Sequence, residues 1–248
     1  MQPEIYLEMA KLQDRHWWFV ARRMILDRVI SELRLPANAL ILEIGCGPGG
    51  NLSMLKGHGQ LHALETDPLA RQLASVLSIC PVLRGALPAP LPFPPASFDL
   101  VCLFDVLEHI EDDQAALQSA ATLLRPGGRI LITVPAYPWL WSAHDEAHHH
   151  KRRYTASTLN HVAKAANLAP LRLGYFNTLL FPMIALLRGV RGSLSKESSS
   201  DCTLPSPWIN QLLTRIFAAE RWILSRATFP FGTSLLAVLE APSRGARK

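Results

Sequence analysis

One segment, Ala39-Leu-Ile-Leu-Glu-Ile-Gly-Cys-Gly-Pro-Gly-Gly50, constrains the fold of this chain more than any other. An apolar run just long enough for one buried strand ends in a cluster of four glycines. Without Cβ atoms the backbone there can turn sharply, admit a ligand closely and point its amide N–H groups at it. Further apolar runs follow at the spacing of βαβ units. Leu61–Glu65, Pro81–Leu83, Phe98–Phe104 and Arg129–Val134 read as strands, and residues 51–58, 68–77 and 112–124 as the helices between them. Five prolines between 88 and 95 exclude both helix and central strand from that stretch. A helix over 157–167 and strands over 171–176 and 234–240 complete the pattern, preceded by a helical region, 4–34, with an aromatic knot at His16-Trp-Trp-Phe19. The expectation is an α/β chain built on a mostly parallel sheet.

At 248 residues and 49% hydrophobic content there is ample material for a core, and a disordered chain is excluded. The cysteines, Cys46, Cys80, Cys102 and Cys202, are too scattered for a disulfide framework or a zinc ribbon. A reducing cytoplasm is the expected location, since the N-terminus shows no secretory pattern. The longest apolar run, Leu179–Leu187, contains Pro182 and is about half of the ~20 residues a membrane-spanning helix needs. Charge is unevenly placed: residues 188–248 hold nine Lys/Arg against four Asp/Glu, while residues 1–187 hold sixteen of each. An anionic neighbour for the C-terminal quarter follows, either a membrane surface or an acidic partner. A neutral first three-quarters argues against a nucleic-acid substrate. The expected organisation is a helical cap (1–37), an α/β domain (38–178), a helical insertion (179–231) and a last strand with a basic tail (232–248).

Glu65 stands at the end of the second strand, at the distance from Gly45 where a carboxylate can accept hydrogen bonds from both hydroxyls of a ribose. Gly45, Gly47 and Gly50 satisfy a dinucleotide spacing, whereas Glu43, Gly45, Gly47 and Gly49 fit an S-adenosylmethionine site. Glu43 discriminates physically. A negative charge there repels a pyrophosphate and attracts the ammonium and sulfonium of S-adenosylmethionine, which disfavours a nicotinamide-linked oxidoreductase.

Four stretches then resemble the class I S-adenosylmethionine-dependent methyltransferases: Leu42-Glu-Ile-Gly-Cys-Gly-Pro-Gly49, Leu91-Pro-Phe with Ser97-Phe-Asp-Leu-Val101, Asp105-Val-Leu-Glu-His-Ile110, and Leu124-Arg-Pro-Gly-Gly-Arg-Ile-Leu-Ile132. The flanks, His16-Trp-Trp-Phe with Arg22-Arg23 and His144-Asp145 with His150-Lys-Arg-Arg-Tyr154, are similar to a bacterial subset described only as methyltransferase-domain proteins. The resemblance implies a seven-stranded sheet whose last strand is antiparallel, and S-adenosylmethionine as methyl donor. It implies that Gly45, Cys46, Gly47 and Gly49 pass beneath the methionine part of the cofactor, with Glu43 near its amino group. Glu65 would hold the ribose hydroxyls and Thr66 lie against the adenine. Asp105, Val106 and His109 would line the cofactor near its methyl. Family members often carry an acid beside the adenine amino group, where this chain has Gly85-Ala86-Leu87. Adenine recognition at Leu87 is therefore expected to use backbone groups.

Methyl transfer is an in-line displacement, so alignment dominates and a base is needed only for a nucleophile of high pKa. His109 is the candidate base. The loop from Tyr137 to Tyr154 follows the fifth strand on the rim where substrates enter such sheets. Its aromatic and basic character nominates Tyr137, Trp141, His144, Asp145, His150, Arg153 and Tyr154 as the substrate side, suited to an acceptor bearing phosphate or carboxylate. No metal is expected, because consecutive histidine side chains diverge and no zinc-type spacing is met. Trp17, Trp18, Arg22 and Arg23 are expected to pack, with a secondary role in closing the site. On a helical wheel Trp208, Ile209, Leu212, Leu213, Ile216, Phe217, Ile223 and Leu224 share half the circumference, with Arg215, Arg221 and Arg226 at or beyond its margins. Such a helix could lie on the inner face of a membrane through residues 179–226, or wall a pocket for a long apolar acceptor; Glu220 on its apolar face favours packing. The expected activity is methylation of a small-molecule, lipid-linked, quinone or glycoconjugate acceptor at oxygen. The alternative from another class is a cofactor-binding scaffold without turnover.

Overall fold

The computed structural model describes residues 2–191, 203–224 and 227–241. Its centre is a seven-stranded sheet of order β3-β2-β1-β4-β5-β7-β6. The strands are β1 (Leu40–Ile44), β2 (Gln60–Leu64), β3 (Val82–Leu83), β4 (Phe98–Phe104), β5 (Leu124–Pro135), β6 (Ala169–Phe176) and β7 (Ser234–Glu240). β1 through β5 pair in parallel, while β7 runs antiparallel to both β5 and β6. Strand order reverses at β1, where the chain leaves for β2 on one side and β4 lies on the other. That reversal opens a crevice at the carboxyl ends of the strands.

Helices cover both faces, as buried parallel strands require. α2 (Trp17–Glu32), α3 (Leu52–Lys56), α4 (Pro68–Val76) and α9 (Pro207–Leu224) close one face, with Ile25, Leu26, Leu52, Leu55, Ala74 and Phe217 packed on Ile41, Ala63 and Cys102. On the other, α5 (Asp113–Thr122) and α7 (Ala156–Ala165) lay Leu117, Ala120, Leu159 and Ala163 on Leu42, Ile44, Val101 and Leu103. The alternation along β1 divides its side chains between the two layers and sets Glu43 on the α2 face.

The helical region 4–34 is two helices, not one. α1 (Pro3–Leu12) ends before residues 13–16, and His16 caps α2 by accepting the Trp18 N–H at 3.3 Å. The run 179–187 opens α8 (Phe181–Arg191), because Pro182 falls in the first turn, where a missing N–H costs nothing. α6 (Ala143–Ala147) is a short helix inside the rim loop, closed by a capping box between Ser142 and Asp145. α9 packs along α2, with Phe217 and Leu224 buried. Its buried Glu220 accepts backbone N–H bonds from Asn177, Thr178 and Leu179 at 2.7–2.8 Å. The carboxylate on the apolar face thus anchors the chain leaving β6 and accounts for the packing. No helix among the described residues is long and apolar enough to cross a membrane. Arg226, Cys202 and the basic tail lie outside the described residues.

Candidate active site

The glycine turn after β1 is tied to the end of β2. The N–H groups of Gly45 and Cys46 both donate to the Leu64 carbonyl, at 2.8 and 3.1 Å, and Gly47 N–H donates to Glu65 Oε2 at 2.7 Å. Glu65 Oε1 accepts the Asp67 N–H at 2.9 Å, and Asp67 caps α4. Both Glu65 oxygens are thereby fixed at the crevice edge while each keeps a lone pair for a ligand hydroxyl. Gly45 has φ +73° and a Cβ there would lie 2.7 Å from Val106 Cγ2, so the first turn demands glycine on two counts. Val106 therefore closes directly on the turn. Cys46 is buried and its thiol is pushed up by burial and then by Glu43 and Glu65, which leaves it an uncharged wall. Thr66 is exposed beyond β2, where an adenine edge could reach it, whereas the Leu87 side chain is buried in the core.

Glu43 is fully buried beneath the turn. Its Oε1 accepts from Asn51 Nδ2 at 2.9 Å, and Oε2 has no partner among the described residues. Burial raises its pKa to about 8, against the pull of Asn51 and Arg22. A buried acid with one oxygen free of partners among the described residues can receive a cationic group by giving up its proton. The N-terminal helices complete this end: Tyr6 of α1 stands near Glu65 and Asp67, its phenol pushed up by burial and by those two charges.

Across the crevice, Asp105 follows β4 in a left-handed conformation, φ +55°, held by its N–H to the Thr133 carbonyl at 2.9 Å. Its Oδ2 is 2.7 Å from the buried Arg22 Nη2, and that same nitrogen donates to Thr133 Oγ1 at 2.5 Å. The guanidinium also lies over Trp18 and Phe104, 5.0 and 5.6 Å from their ring centroids. Packing with a secondary role in closing the site was expected of Arg22; its guanidinium is ion-paired to Asp105 and reaches the ends of β4 and β5 from α2. Thr133 carried no signal in the sequence beyond its place near the end of β5.

Glu108 and His109 form a short 3-10 turn after Asp105. Glu108 is fully buried, and neither carboxylate oxygen has a hydrogen-bond partner of acceptable geometry among the described residues. Burial and the nearby Asp105 hold its pKa well above the ordinary range, and its own backbone amide, Arg22 and Arg153 offset this only in part. His109 is lowered to about 4, by burial and then by His150, and is neutral at neutral pH. The two imidazoles meet edge to face at 4.8 Å between centroids.

The rim loop is organised around Asp145, which is fully buried. Arg153 grips it with Nε and Nη2 at 2.7 and 2.8 Å, and His150 Nδ1 lies 2.8 Å from Oδ1. Burial works against the charge of Asp145, but the His150 and Arg153 bonds win and hold its pKa far below the ordinary carboxylate value. Arg153 is thus consumed inside the loop, Lys151 pairs with Glu111 at 2.5 Å, and Arg152 with Asp113 at 3.0 Å. The basic rim expected to receive a phosphate or carboxylate is neutralised within the protein. Tyr154 is likewise a core residue: it is 2% exposed and its hydroxyl donates to Asp113 Oδ2 at 2.8 Å. Asp145, Arg153 and Tyr154, expected on the substrate side, are thus buried and bonded within the fold.

An aromatic cluster joins the rim loop to β6 and α8. Tyr137 stacks on Tyr175 and Trp139 with centroids at 5.0 and 5.5 Å, and Phe181 closes on both Tyr137 and Trp139. Trp141 is exposed, and His144 stacks on His148 at 4.0 Å.

The crevice, its glycine turn and its two carboxylates can now be set beside known proteins. The methyltransferase-domain family matches residues 17–173. A probable S-adenosylmethionine-dependent methyltransferase of Mycolicibacterium smegmatis is 26% identical over 215 residues, 84% of this chain and 81% of that protein. A ubiquinone biosynthesis O-methyltransferase of Xylella fastidiosa is 33% identical over 116 residues, 44% of this chain and 46% of its own length. Among solved structures, a chain of the "Complex between the Haloferax volcanii Trm112 methyltransferase activator and the putative methyltransferase" aligns with a TM-score of 0.61 at 19% identity, over 94% of this chain and 92% of that one. With the fold, the turn and the match over most of its α/β core in agreement, the chain belongs to the methyltransferase-domain family and is a class I S-adenosylmethionine-dependent methyltransferase.

Proposed function

We propose that the chain transfers the methyl group of S-adenosylmethionine to an oxygen of an apolar acceptor, such as a quinone precursor, a lipid-linked molecule or a glycoconjugate. The observation that carries this is the aromatic cluster of Tyr137, Trp139, Tyr175 and Phe181, built on the same rim loop that brings His150 edge to face with His109. Flat stacked rings favour an unsaturated or aliphatic body, while the imidazoles favour a hydroxyl at the reacting end. With the basic residues of the rim ion-paired, a strongly anionic acceptor is disfavoured. The partial likeness to an O-methyltransferase of ubiquinone biosynthesis supports oxygen as the acceptor atom.

Glu43 holds the cofactor's ammonium, Glu65 its ribose hydroxyls, and the backbone of Gly45–Gly47 lies beneath its methionine part. Thr66 and the backbone at Leu87 face the adenine. Asp105 and Val106 line the cofactor near its methyl, and His109 faces the reacting oxygen. As the O–CH3 bond forms, the S–CH3 bond breaks with its electron pair going to sulfur, and the acceptor's hydroxyl proton is lost. Exposed apolar residues on the outer side of α8 and α9, including Leu186, Trp208 and Trp222, favour peripheral contact with a membrane that holds such an acceptor.

Methyl-labelled S-adenosylmethionine, incubated with prenylated catechols, phenols, glycolipids and amines, tests the reading. Label in an ether product with equimolar S-adenosylhomocysteine is the expected result. Transfer only to nitrogen or carbon overturns the oxygen assignment, and bound cofactor with no turnover on any acceptor favours the scaffold alternative.

A further inference from the structure

Three potential ligand groups from two separate segments converge at the acceptor end. Glu108 and His109 come from the turn after β4, and His150 from the rim loop; one ligand atom of each lies within 4.8 Å of the others. The segments are sewn together by the Lys151 N–H donating to the Glu108 carbonyl at 2.8 Å. Two features distinguish the cluster from a chance grouping. Glu108 is fully buried with both oxygens lacking a partner among the described residues, a position a carboxyl group tolerates only by keeping its proton or by meeting a cation. His150 is also already oriented: its Nδ1 faces the buried Asp145, itself fixed by the Arg153 fork, which leaves Nε2 to turn toward the cluster. A carboxylate behind an imidazole is the arrangement that orients metal-ligating histidines.

We propose that Glu108, His109 and His150 bind a divalent transition-metal ion with two imidazole nitrogens and one carboxylate, leaving open positions for the acceptor's oxygen. The donor set is of borderline softness and suits zinc, manganese or cobalt rather than calcium. Bonds of about 2.1 Å place tetrahedral ligand atoms roughly 3.4 Å apart, so separations of up to 4.8 Å must contract by up to about 1.4 Å on loading.

This inference rests on the acceptor end assigned above and deepens it. An acceptor hydroxyl bound to the ion loses its proton to water at a lower pKa, and the resulting oxyanion attacks the methyl of S-adenosylmethionine. The O–CH3 bond forms, the S–CH3 electron pair returns to sulfur, and one proton leaves to solvent. His109 then acts on the reacting oxygen through the ion, as a ligand. Of the consecutive histidines 148–150, His150 alone joins the cluster among the described residues, and its partners lie in another segment.

The test uses full-length protein stripped with a chelator. Titration with cobalt(II), followed by its visible absorption, and with zinc, followed by calorimetry, should show one ion per chain. Glu108→Gln and His150→Ala should each weaken zinc binding by at least a hundredfold, while the remote His161→Ala should not. Titration with S-adenosylmethionine on the same samples serves as the folding control and should be unchanged by stripping. No stoichiometric binding by protein that still binds S-adenosylmethionine, or equal zinc affinity in all variants, overturns the metal site and leaves the methyltransferase reading intact. Loss of S-adenosylmethionine binding by the wild-type protein would instead undermine the crevice itself. If His150→Ala fails to fold, Glu108→Gln, which preserves shape and removes charge, decides the matter.

Discussion

Replacing Glu43 by Gln isolates the charge that separates this crevice from a dinucleotide site. In the cofactor-free protein burial raises the carboxyl from 4.5 to about 8, so at pH 7 roughly nine chains in ten carry it protonated. Binding the cofactor's ammonium must ionise it and release about 0.9 proton at pH 7. Ionisation costs about 1.4 kcal/mol at that pH, one unit below the pKa. Affinity for S-adenosylmethionine should therefore rise nearly tenfold from pH 6 to pH 7 and level off near pH 8, where the cofactor's own amine also begins to titrate. A charged hydrogen bond contributes about 1.5–3 kcal/mol, so Glu43→Gln should weaken binding ten- to hundredfold at pH 8 and much less at pH 6. Calorimetry in buffers of different ionisation enthalpy measures the proton directly. The stability of the unliganded protein has the opposite sign: a raised folded pKa contributes stability below about pH 4.5 that is lost as pH climbs through 8. The Gln variant should thus gain on the wild type across that window, by up to about 5 kcal/mol. A variant that releases the same proton, or keeps the same pH slope, would refute a role for Glu43 as the cation receptor.

Gly45→Ala should abolish cofactor binding while the domain stays folded, because the new methyl collides with Val106 in a left-handed turn; calorimetric titration and far-UV dichroism check the two halves. Arg22→Met should lower stability by about 2 kcal/mol in urea denaturation, since Thr133 and Asp105 lose a shared partner and Asp105 is solvated only in part. Anionic vesicles should sediment the wild-type protein, and Trp208→Glu with Trp222→Glu should release it, as both rings stand on the exposed side of α9; co-sedimentation independent of these two residues would place the contact elsewhere.

The sheet was legible because its strands are buried on both faces and read as uninterrupted apolar runs: β4 and β7 fall at the expected residues, and the others differ by a residue or a few at their ends. β5 begins earlier than its apolar stretch, since Leu124 pairs with Phe98 ahead of the Pro-Gly-Gly bend. The glycine turn and Glu65 were equally legible, because each is a local backbone requirement written into a few consecutive residues. What the sequence concealed depends on long-range pairing. Arg22 and Asp105 meet only because α2 crosses the carboxyl ends of β4 and β5, and a helix rich in aromatics gives no sign that one of its arginines points inward. The same holds for the rim. Composition shows Lys151, Arg152 and Arg153 as a basic run without naming their partners, and each finds a carboxylate, at residue 111, 113 or 145. With those charges paired, the buried Glu108, whose oxygens have no partner among the described residues, stands beside His109 and His150 as the acid a cation would satisfy at the acceptor end, and the basic loop offers no comparable receptor.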